Sequence, residues 1–139
     1  MFALVDDRDF DFLNQYNWRL GTKGYAETKI NRSTIGMHRL LLDITTKGIE
    51  TDHIDHNKLN NQRVNLRACT ISQNQHNRKP RGKSRFLGVK VLKGKFNAAI
   101  FHNGKTLHLG RFDKEQDAAL AYDKAAKQFH GEFANLNFK

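Results

Sequence analysis

The stretch that decides the fold of this chain is residues 51–78, TDHIDHNKLNNQRVNLRACTISQNQHNR. It is dense in His, Asn and Asp, and because Asn and Asp form turns, a polar loop is one interpretation. The arrangement is more specific than a loop requires. An extended segment ends in Asp52 and His53, an Asn-rich loop follows, and residues 64–69 predict a second strand.

A short helix is predicted directly after that second strand. Thr70 has the residue type of a helix N-cap, and Gln73 three positions later completes a capping-box pattern. Asn74, Asn77 and Arg78 then share one helix face, because residues three and four positions apart are neighbours on a helix surface. The result is a strand–loop–strand–helix unit whose polar groups converge on one place.

The same stretch resembles the ββα-metal nucleases of the HNH family, especially the phage and intron-borne members with the pattern DHxDxxxxNNxxxNLR…QNxxNR. The matching residues are Asp52, His53, Asp55, Asn60, Asn61, Asn65, Leu66, Arg67, Asn74 and Asn77. The upstream segment, with Trp18 and the run 37–40, looks like what precedes this motif in many phage HNH proteins. The resemblance implies a metal-dependent endonuclease.

The resemblance also implies roles for four side chains. His53 would be the general base, and a neutral imidazole suits that role near neutral pH. Asp52 and Asn74 would bind a single divalent ion, Mg²⁺ or Mn²⁺, through oxygen, because two protein ligands leave the water and phosphate positions that Mg²⁺ needs. Asn65 would hold the loop and orient His53 through backbone contacts.

The order of the first two motif residues presents a difficulty. Neighbours in a flat strand point to opposite faces, so Asp52 and His53 serve one site only if the strand ends or bulges there.

Two roles stay open for Arg39 and Arg67, a phosphate clamp or a cover of the surface. His38 is expected to be a structural hydrogen bonder.

The charge of the chain is concentrated in its second half. Its 139 residues include 24 Lys and Arg against 14 Asp and Glu, and residues 78–139 carry +9 of the net charge of +10. This excess indicates an anionic partner but says nothing about the fold.

No apolar run approaches the roughly 18 residues that a membrane span needs. The single cysteine, Cys69, excludes an internal disulfide and a CxxC zinc site.

The basic second half reads as three strands and a helix. Residues 86–92, 96–101 and 106–109 predict the strands, with an Asn-Gly hairpin signal at Asn103. The third strand is expected to end at Gly110.

The helix is predicted from its ends and from one apolar stripe. Asp113 would be its N-cap, Gln116 the capping-box partner and Gly131 its C-terminal stop. The apolar stripe at helical spacing, expected to be core, consists of Ala118, Tyr122, Ala125 and Phe129.

About 55 residues of this half resemble the plant ethylene-response-factor (Apetala-two) DNA-binding domain. The shared marks include Gly88-Val89, Gly94-Lys95-Phe96, Leu109-Gly110, Phe112-Asp113, Ala121-Tyr122-Asp123 and Leu136-Asn137-Phe138. The resemblance implies that the sheet, not the helix, reads DNA. Together with the basic run, the candidate DNA-binding residues are Arg78, Lys83, Arg85, Lys90, Lys93, Lys95, Thr106 and His108. Apolar residues replace several charged readers of the plant domains, so we expect mostly phosphate contacts.

These interpretations together predict an α+β protein. A ββα-metal (HNH) nuclease domain would span 1–78, a basic linker 79–83, and a three-stranded antiparallel sheet packed on one helix 84–139. The predicted function is site-directed, homing-type cleavage of double-stranded DNA by a phage or intron protein, in the cytoplasm of a bacterial or phage-infected host cell. Two alternatives stay open, a DNA-binding protein with an inactive HNH unit and a non-specific nuclease.

Overall fold

The computed structural model describes residues 2–138. The chain divides into two compact units, Met1–Asn74 and Gln75–Lys139, so the basic segment 79–83 belongs to the second unit. Each unit combines helices with antiparallel strands, and the predicted mixed class is confirmed. Among the described residues, none of the helices has the length and apolarity needed to cross a membrane.

The first part of the N-terminal unit is a small sheet between two short helices. Its elements are α1 (Asp7–Leu13), β1 (Arg19–Leu20), β2 (Ala26–Ile30), β3 (Ser33–Gly36) and α2 (Met37–Leu41). The core joins Leu13, Ala26, Met37 and Leu41 to Leu66 of the strand that follows the motif loop. Trp18 packs against this core and donates its indole N–H to the Leu13 carbonyl at 2.8 Å, as expected of a core residue.

The motif stretch forms an antiparallel hairpin followed by one helical turn. Its elements are β4 (Ile49–His53), β5 (Leu66–Thr70) and α3 (Ile71–Asn74). The predicted capping box is confirmed, since Gln73 donates its backbone N–H to Thr70 Oγ1 at 3.2 Å and Gln73 Oε1 accepts from the Thr70 backbone N–H at 2.9 Å.

The second strand of this hairpin begins later than the sequence pattern predicts. Residues Arg63–Asn65 form a 3₁₀ turn, and Val64 is exposed. The apolar side chain of Val64 suggested a strand, but the neighbouring Asn65 side chain is bound by the preceding loop, which holds the backbone in the turn.

The C-terminal unit is a three-stranded antiparallel sheet covered on one face by a long helix. Its elements are β6 (Val89–Leu92), β7 (Lys95–His102), β8 (Lys105–Phe112) and α4 (Glu115–His130). Ala98 and Ile100 of β7 pack against the small side chains Ala118 and Ala126 and the Tyr122 ring of α4. The prediction that the helical apolar stripe is core is confirmed.

Three details of this unit differ from the sequence-based expectations. β6 begins at Val89 and not at residue 86, because residues 86–88 form a bend and a turn. β8 continues through Gly110, whose φ of 141° fits an irregularity in the pairing with β7, so the strand ends at Phe112 instead. The Asp113–Gln116 capping box does not form, because the helix starts after Lys114 and Asp113 is ion-paired with the Lys95 ammonium.

Candidate active site and nucleic-acid interface

Strand register brings two carboxylates onto one face of the hairpin. Glu50 pairs with Cys69 and Asp52 with Arg67, and directly paired residues point to the same side. Because Glu50 and Asp52 are two positions apart on β4, both carboxylates lie on this face. Asn74 reaches it from the end of α3, where its Nδ2 donates to Glu50 Oε2 at 2.6 Å. We call the group Glu50, Asp52, Arg67 and Asn74 the hairpin acid face.

Asp52 is buried, and Arg67 holds its carboxylate. The guanidinium donates to Oδ2 from Nε at 2.8 Å and from Nη2 at 2.6 Å. In this structure Arg67 compensates the buried charge of Asp52. Arg39 is also structural, because its guanidinium donates to the carbonyls of Ile44 at 3.0 Å and Ile49 at 3.2 Å.

His53 occupies the last position of β4 and is buried. Its Nε2 lies 3.5 Å from Oδ1 of Asn61. Burial lowers the pKa of His53, while Asn61 and the carboxylates of Asp55 and Asp52 raise it. The imidazole is thus neutral at neutral pH. β4 ends at His53, which is still paired with Leu66, so strand alternation places the His53 side chain on the side opposite Asp52. The carboxylate of Asp52 nevertheless acts electrostatically on the ring.

Two rings from the first part of the N-terminal unit pack around His53. The ring centroid of Tyr25 lies 5.8 Å from that of His53, and the centroid of His38 lies 5.2 Å from it. Burial lowers the pKa of His38 to about 4, so this imidazole is neutral as well. The hydrogen bond expected of His38 is not formed at Nδ1, which has no partner among residues 2–138. His38 instead packs against the candidate base.

Asn65 fixes the loop between β4 and β5 with its whole amide group. Its Oδ1 accepts from the backbone N–H of Asp55 at 3.0 Å, and its Nδ2 donates to Asp55 Oδ1 at 2.9 Å and to the Asn60 carbonyl at 2.8 Å. Asp55 Oδ2 also accepts from Asn60 Nδ2 at 2.8 Å. The carbonyl of Leu4 accepts from the Asn61 backbone N–H at 2.7 Å, so the start of the chain ties down the same loop.

The hairpin acid face offers donors that suit a hard cation. Within residues 2–138, no group of three or more His, Cys, Asp or Glu side chains is arranged to hold a metal ion. The face nevertheless combines a buried carboxylate, Asp52, with the amide of Asn74, and Mg²⁺ is usually bound through one or two carboxylates while keeping several waters. Cys69 does not fit such a site, because burial raises the pKa of its thiol to about 11.

Sequence reasoning missed two residues of this neighbourhood. Glu50 lies outside the matched pattern, although its position two residues before Asp52 in an extended segment was a signal that the two carboxylates share a face. Tyr25 was given no role at the site. Burial raises the pKa of Tyr25, and the carboxylates of Glu50 and Asp52 raise it further, so this ring is close to both acids.

The C-terminal sheet leaves the face opposite α4 open to solvent. Lys90 of β6 and Thr106 and His108 of β8 are exposed. A depression of about 560 Å³ crosses this face, and it is lined by Lys90, Asn97 and His108 of the sheet and by Arg78, Lys79, Pro80 and Arg81 of the preceding basic segment. We call this depression the basic groove.

The other candidate DNA-binding residues differ in their surroundings. The Lys95 ammonium is ion-paired with Asp113, and Arg85 lies 3.9 Å from a carboxylate oxygen of Glu115. These two side chains reach a phosphate only by sharing or leaving an acidic partner. The candidates that are exposed in the structure are Arg78, Lys83, Arg85, Lys90, Lys93, Thr106 and His108.

Comparison with known proteins assigns the N-terminal unit to a family. A family model described as HNH endonuclease matches residues 44–76, which include the hairpin and α3. An uncharacterized HNH endonuclease of Acanthamoeba polyphaga mimivirus is 33% identical over an alignment of 142 positions, which covers 98% of this chain and 74% of that protein. The chain therefore belongs to the HNH endonuclease family.

The C-terminal part is similar to segments of plant proteins. An AP2-like ethylene-responsive transcription factor of Arabidopsis thaliana is 42% identical over 64 residues, which are 44% of this chain and 13% of that protein. APETALA2-like protein 2 of Oryza sativa subsp. indica is 44% identical over 62 residues, which are 42% of this chain and 14% of that protein. The similarity thus covers only a small part of each plant protein.

Proposed function

We propose that this HNH endonuclease hydrolyses phosphodiester bonds of double-stranded DNA, with His53 as the general base and Asp52 and Asn74 as ligands of a divalent metal ion. One observation carries the proposal: at the end of β4 a buried neutral imidazole directly follows Asp52, whose carboxylate shares a hairpin face with the Asn74 amide. Membership of the HNH family supports the reaction class.

His53 is suited to take a proton from water. An amide oxygen only accepts hydrogen bonds, so the contact with Asn61 Oδ1 favours the imidazole proton on Nε2 and leaves the lone pair on Nδ1. The lowered pKa of His53 keeps the imidazole neutral at neutral pH, as a general base requires. Asn65 acts indirectly, because it holds the loop that follows the base.

Asp52 and Asn74 are the oxygen donors of the proposed metal site. A bound Mg²⁺ or Mn²⁺ supplies Lewis-acid stabilisation of charge on the scissile phosphate. Arg67 holds the carboxylate of Asp52 in a fixed orientation, and β5 and α3 hold Asn74 next to β4. The two ligands leave the remaining positions for water and phosphate oxygens, as suits Mg²⁺.

We also propose that the C-terminal unit is an Apetala-two-like DNA-binding domain. The plant similarity, the exposed sheet face and the net charge of +9 in residues 78–139 support this role. The basic groove would contact the phosphate backbone through Arg78, Lys90 and the neighbouring basic side chains. The unit would direct the nuclease to DNA, consistent with a homing-type element of a phage or intron.

One observation favours weak sequence specificity. Phe101 and Leu92 are exposed apolar residues of the open sheet, and Ala99 lines the same face. Apolar side chains therefore occupy positions beside Asn97 at which base readout in a groove would use Arg, Asn or Gln. A non-specific nuclease is therefore the second candidate function. Sequencing the cleavage products of a randomised DNA library separates it from a site-directed enzyme.

Nicking of supercoiled plasmid by the full chain tests the proposal. We expect conversion to the open-circular form with Mg²⁺ or Mn²⁺, and no conversion with excess chelator or with His53→Ala. Nicking in excess chelator would rule out the metal-dependent mechanism. Intact DNA binding without nicking in any divalent metal would favour an inactive HNH unit.

A further inference from the structure

The hydrogen bond between Asn74 and Glu50 determines which end of the Asn74 amide faces which neighbour. A carboxylate has only acceptor atoms at neutral pH. The atom of Asn74 that faces Glu50 Oε2 at 2.6 Å is therefore the amide nitrogen Nδ2 and not the amide oxygen Oδ1. The amide is planar, and fixing Nδ2 therefore also fixes the direction of Oδ1. Oδ1 is the atom through which a hard cation binds an amide.

Asn74 lies at the end of a short helix. α3 is a single turn, Ile71–Asn74, and Asn74 is its last residue. Glu50, in contrast, lies within the regular part of β4 and is paired with Cys69 of β5. A short, direct bond to a strand residue thus anchors the Asn74 side chain at the end of the helix.

We infer that Glu50 is a positioning residue: it holds the Asn74 amide so that Oδ1 is presented to the divalent ion. This inference rests on the proposed function, because it assigns Glu50 to the same metal site. Mutation of a residue that hydrogen-bonds to a metal ligand and orients it typically lowers metal affinity by about 10- to 100-fold. Glu50 acts as a hydrogen-bond acceptor here, and its negative charge is not what the role requires.

This chemistry distinguishes the role from that of a direct ligand. Glu50→Gln keeps an acceptor oxygen for Asn74 Nδ2 and removes the charge, whereas Glu50→Ala removes both. A positioning residue tolerates the first change and not the second. A carboxylate ligand tolerates neither, since its charge is part of the metal affinity.

Mn²⁺ binding to the full chain without DNA, followed by the loss of the free-ion EPR signal, is the first measurement. We expect the affinity to fall about tenfold in Glu50→Ala and to stay within about twofold of the wild type in Glu50→Gln. Glu27→Ala, which removes an acid of β2 paired with Arg19, is the matched control and should not change Mn²⁺ affinity. Thermal unfolding of each variant identifies any loss of fold, and Glu50→Gln keeps the test decisive if Glu50→Ala unfolds.

A double mutant provides the second measurement. If Glu50 acts only through Asn74, Glu50→Ala combined with Asn74→Ala binds Mn²⁺ no more weakly than Asn74→Ala alone. Additive losses, or a Glu50→Gln variant as weak as Glu50→Ala, would overturn the positioning role. Unchanged affinity in a folded Glu50→Ala would do the same. A wild-type chain that binds no Mn²⁺ would contradict the proposed function itself, which separates the two failures.

Discussion

The hairpin acid face and the open face of the C-terminal sheet are both strand surfaces, but they treat polar groups in opposite ways. On the hairpin, Asp52 is buried and ion-paired with Arg67, and Asn74 is bonded to Glu50. On the sheet, Lys90, Thr106 and His108 are exposed. The hairpin belongs to the part of the chain with a net charge of +1, and the sheet to the part with +9. The difference suits two tasks.

Chemistry on a phosphate needs groups held in fixed orientations away from bulk water, because electrostatic effects are stronger there and no reorganisation is needed during the reaction. Attraction to a polyanion needs accessible cations that can displace counterions. The comparison predicts that changes on the hairpin alter cleavage and that changes on the sheet alter affinity.

The largest expected effect comes from His53. His53→Ala removes the proposed base, so cleavage should fall by about 10²- to 10⁴-fold while DNA affinity changes little. Single-turnover cleavage and a binding titration on the same DNA fragment measure the two quantities. His108→Ala, which changes an exposed histidine of the sheet, is the control and should cleave at the wild-type rate at saturating enzyme concentration. Cleavage by His53→Ala at a tenth of the wild-type rate would remove His53 from this role.

Asp52 is expected to matter for both the metal and the fold. Asp52→Asn removes the charge while keeping the shape, so Mn²⁺ affinity should fall at least tenfold. The melting temperature should also fall, because the half-buried Arg67 guanidinium loses its ionic partner, a change that costs about 3–5 kcal/mol when a pair is fully buried. Calorimetric titration and thermal unfolding test these results, and wild-type Mn²⁺ affinity in a folded variant would refute the ligand assignment.

A smaller effect is expected from two lysines of the sheet. Replacing Lys90 and Lys93 together by Gln should reduce the slope of log affinity against log salt concentration by roughly 2, because each phosphate contact contributes about 0.9 to that slope. Lys124→Gln with Lys127→Gln changes the charge equally on α4, which covers the other sheet face, and should leave the slope nearly unchanged. Equal slopes for the two double variants would mean that the open face is not the DNA-binding surface.

The smallest expected effect is on the pH dependence of stability in the C-terminal unit. Burial lowers the pKa of His130, whose Nε2 donates to the Phe101 carbonyl at 3.2 Å. Because the folded pKa lies below the unfolded value, this contribution to stability is present above about pH 6.5 and is lost as the pH falls below it. The melting temperature should drop by a few degrees between pH 7 and pH 5, and the drop should be smaller in His130→Phe. An identical drop in both proteins would show that His130 does not cause it.

The sequence predicted those parts of the fold that depend on local chemistry. The capping box of Thr70 and Gln73 formed because both partners lie within one turn. The box expected at Asp113 did not form, because Lys95, distant in sequence, binds that carboxylate. A local pattern therefore identifies an available group but cannot exclude a non-local competitor.

The candidate site shows the same limit. The motif named Asp52, His53 and Asn74, yet neither the Arg67 contact with Asp52 nor the Glu50 contact with Asn74 was predicted. Both contacts cross between elements and depend on strand register, which the sequence does not fix before β4 and β5 are paired. Their roles in binding metal and in cleavage stay predictions.

The central claim is that the hairpin cuts and the sheet binds, and one paired measurement tests it most directly. The salt slope of DNA binding and the single-turnover cleavage rate at saturating enzyme are measured for His53→Ala and for the Lys90 and Lys93 double variant, both as full chains with Mg²⁺. We predict a wild-type salt slope without cleavage in the first, and a flattened slope with a wild-type cleavage rate in the second. A flattened slope in His53→Ala, or a lysine variant that binds normally but cuts slowly, would contradict the account.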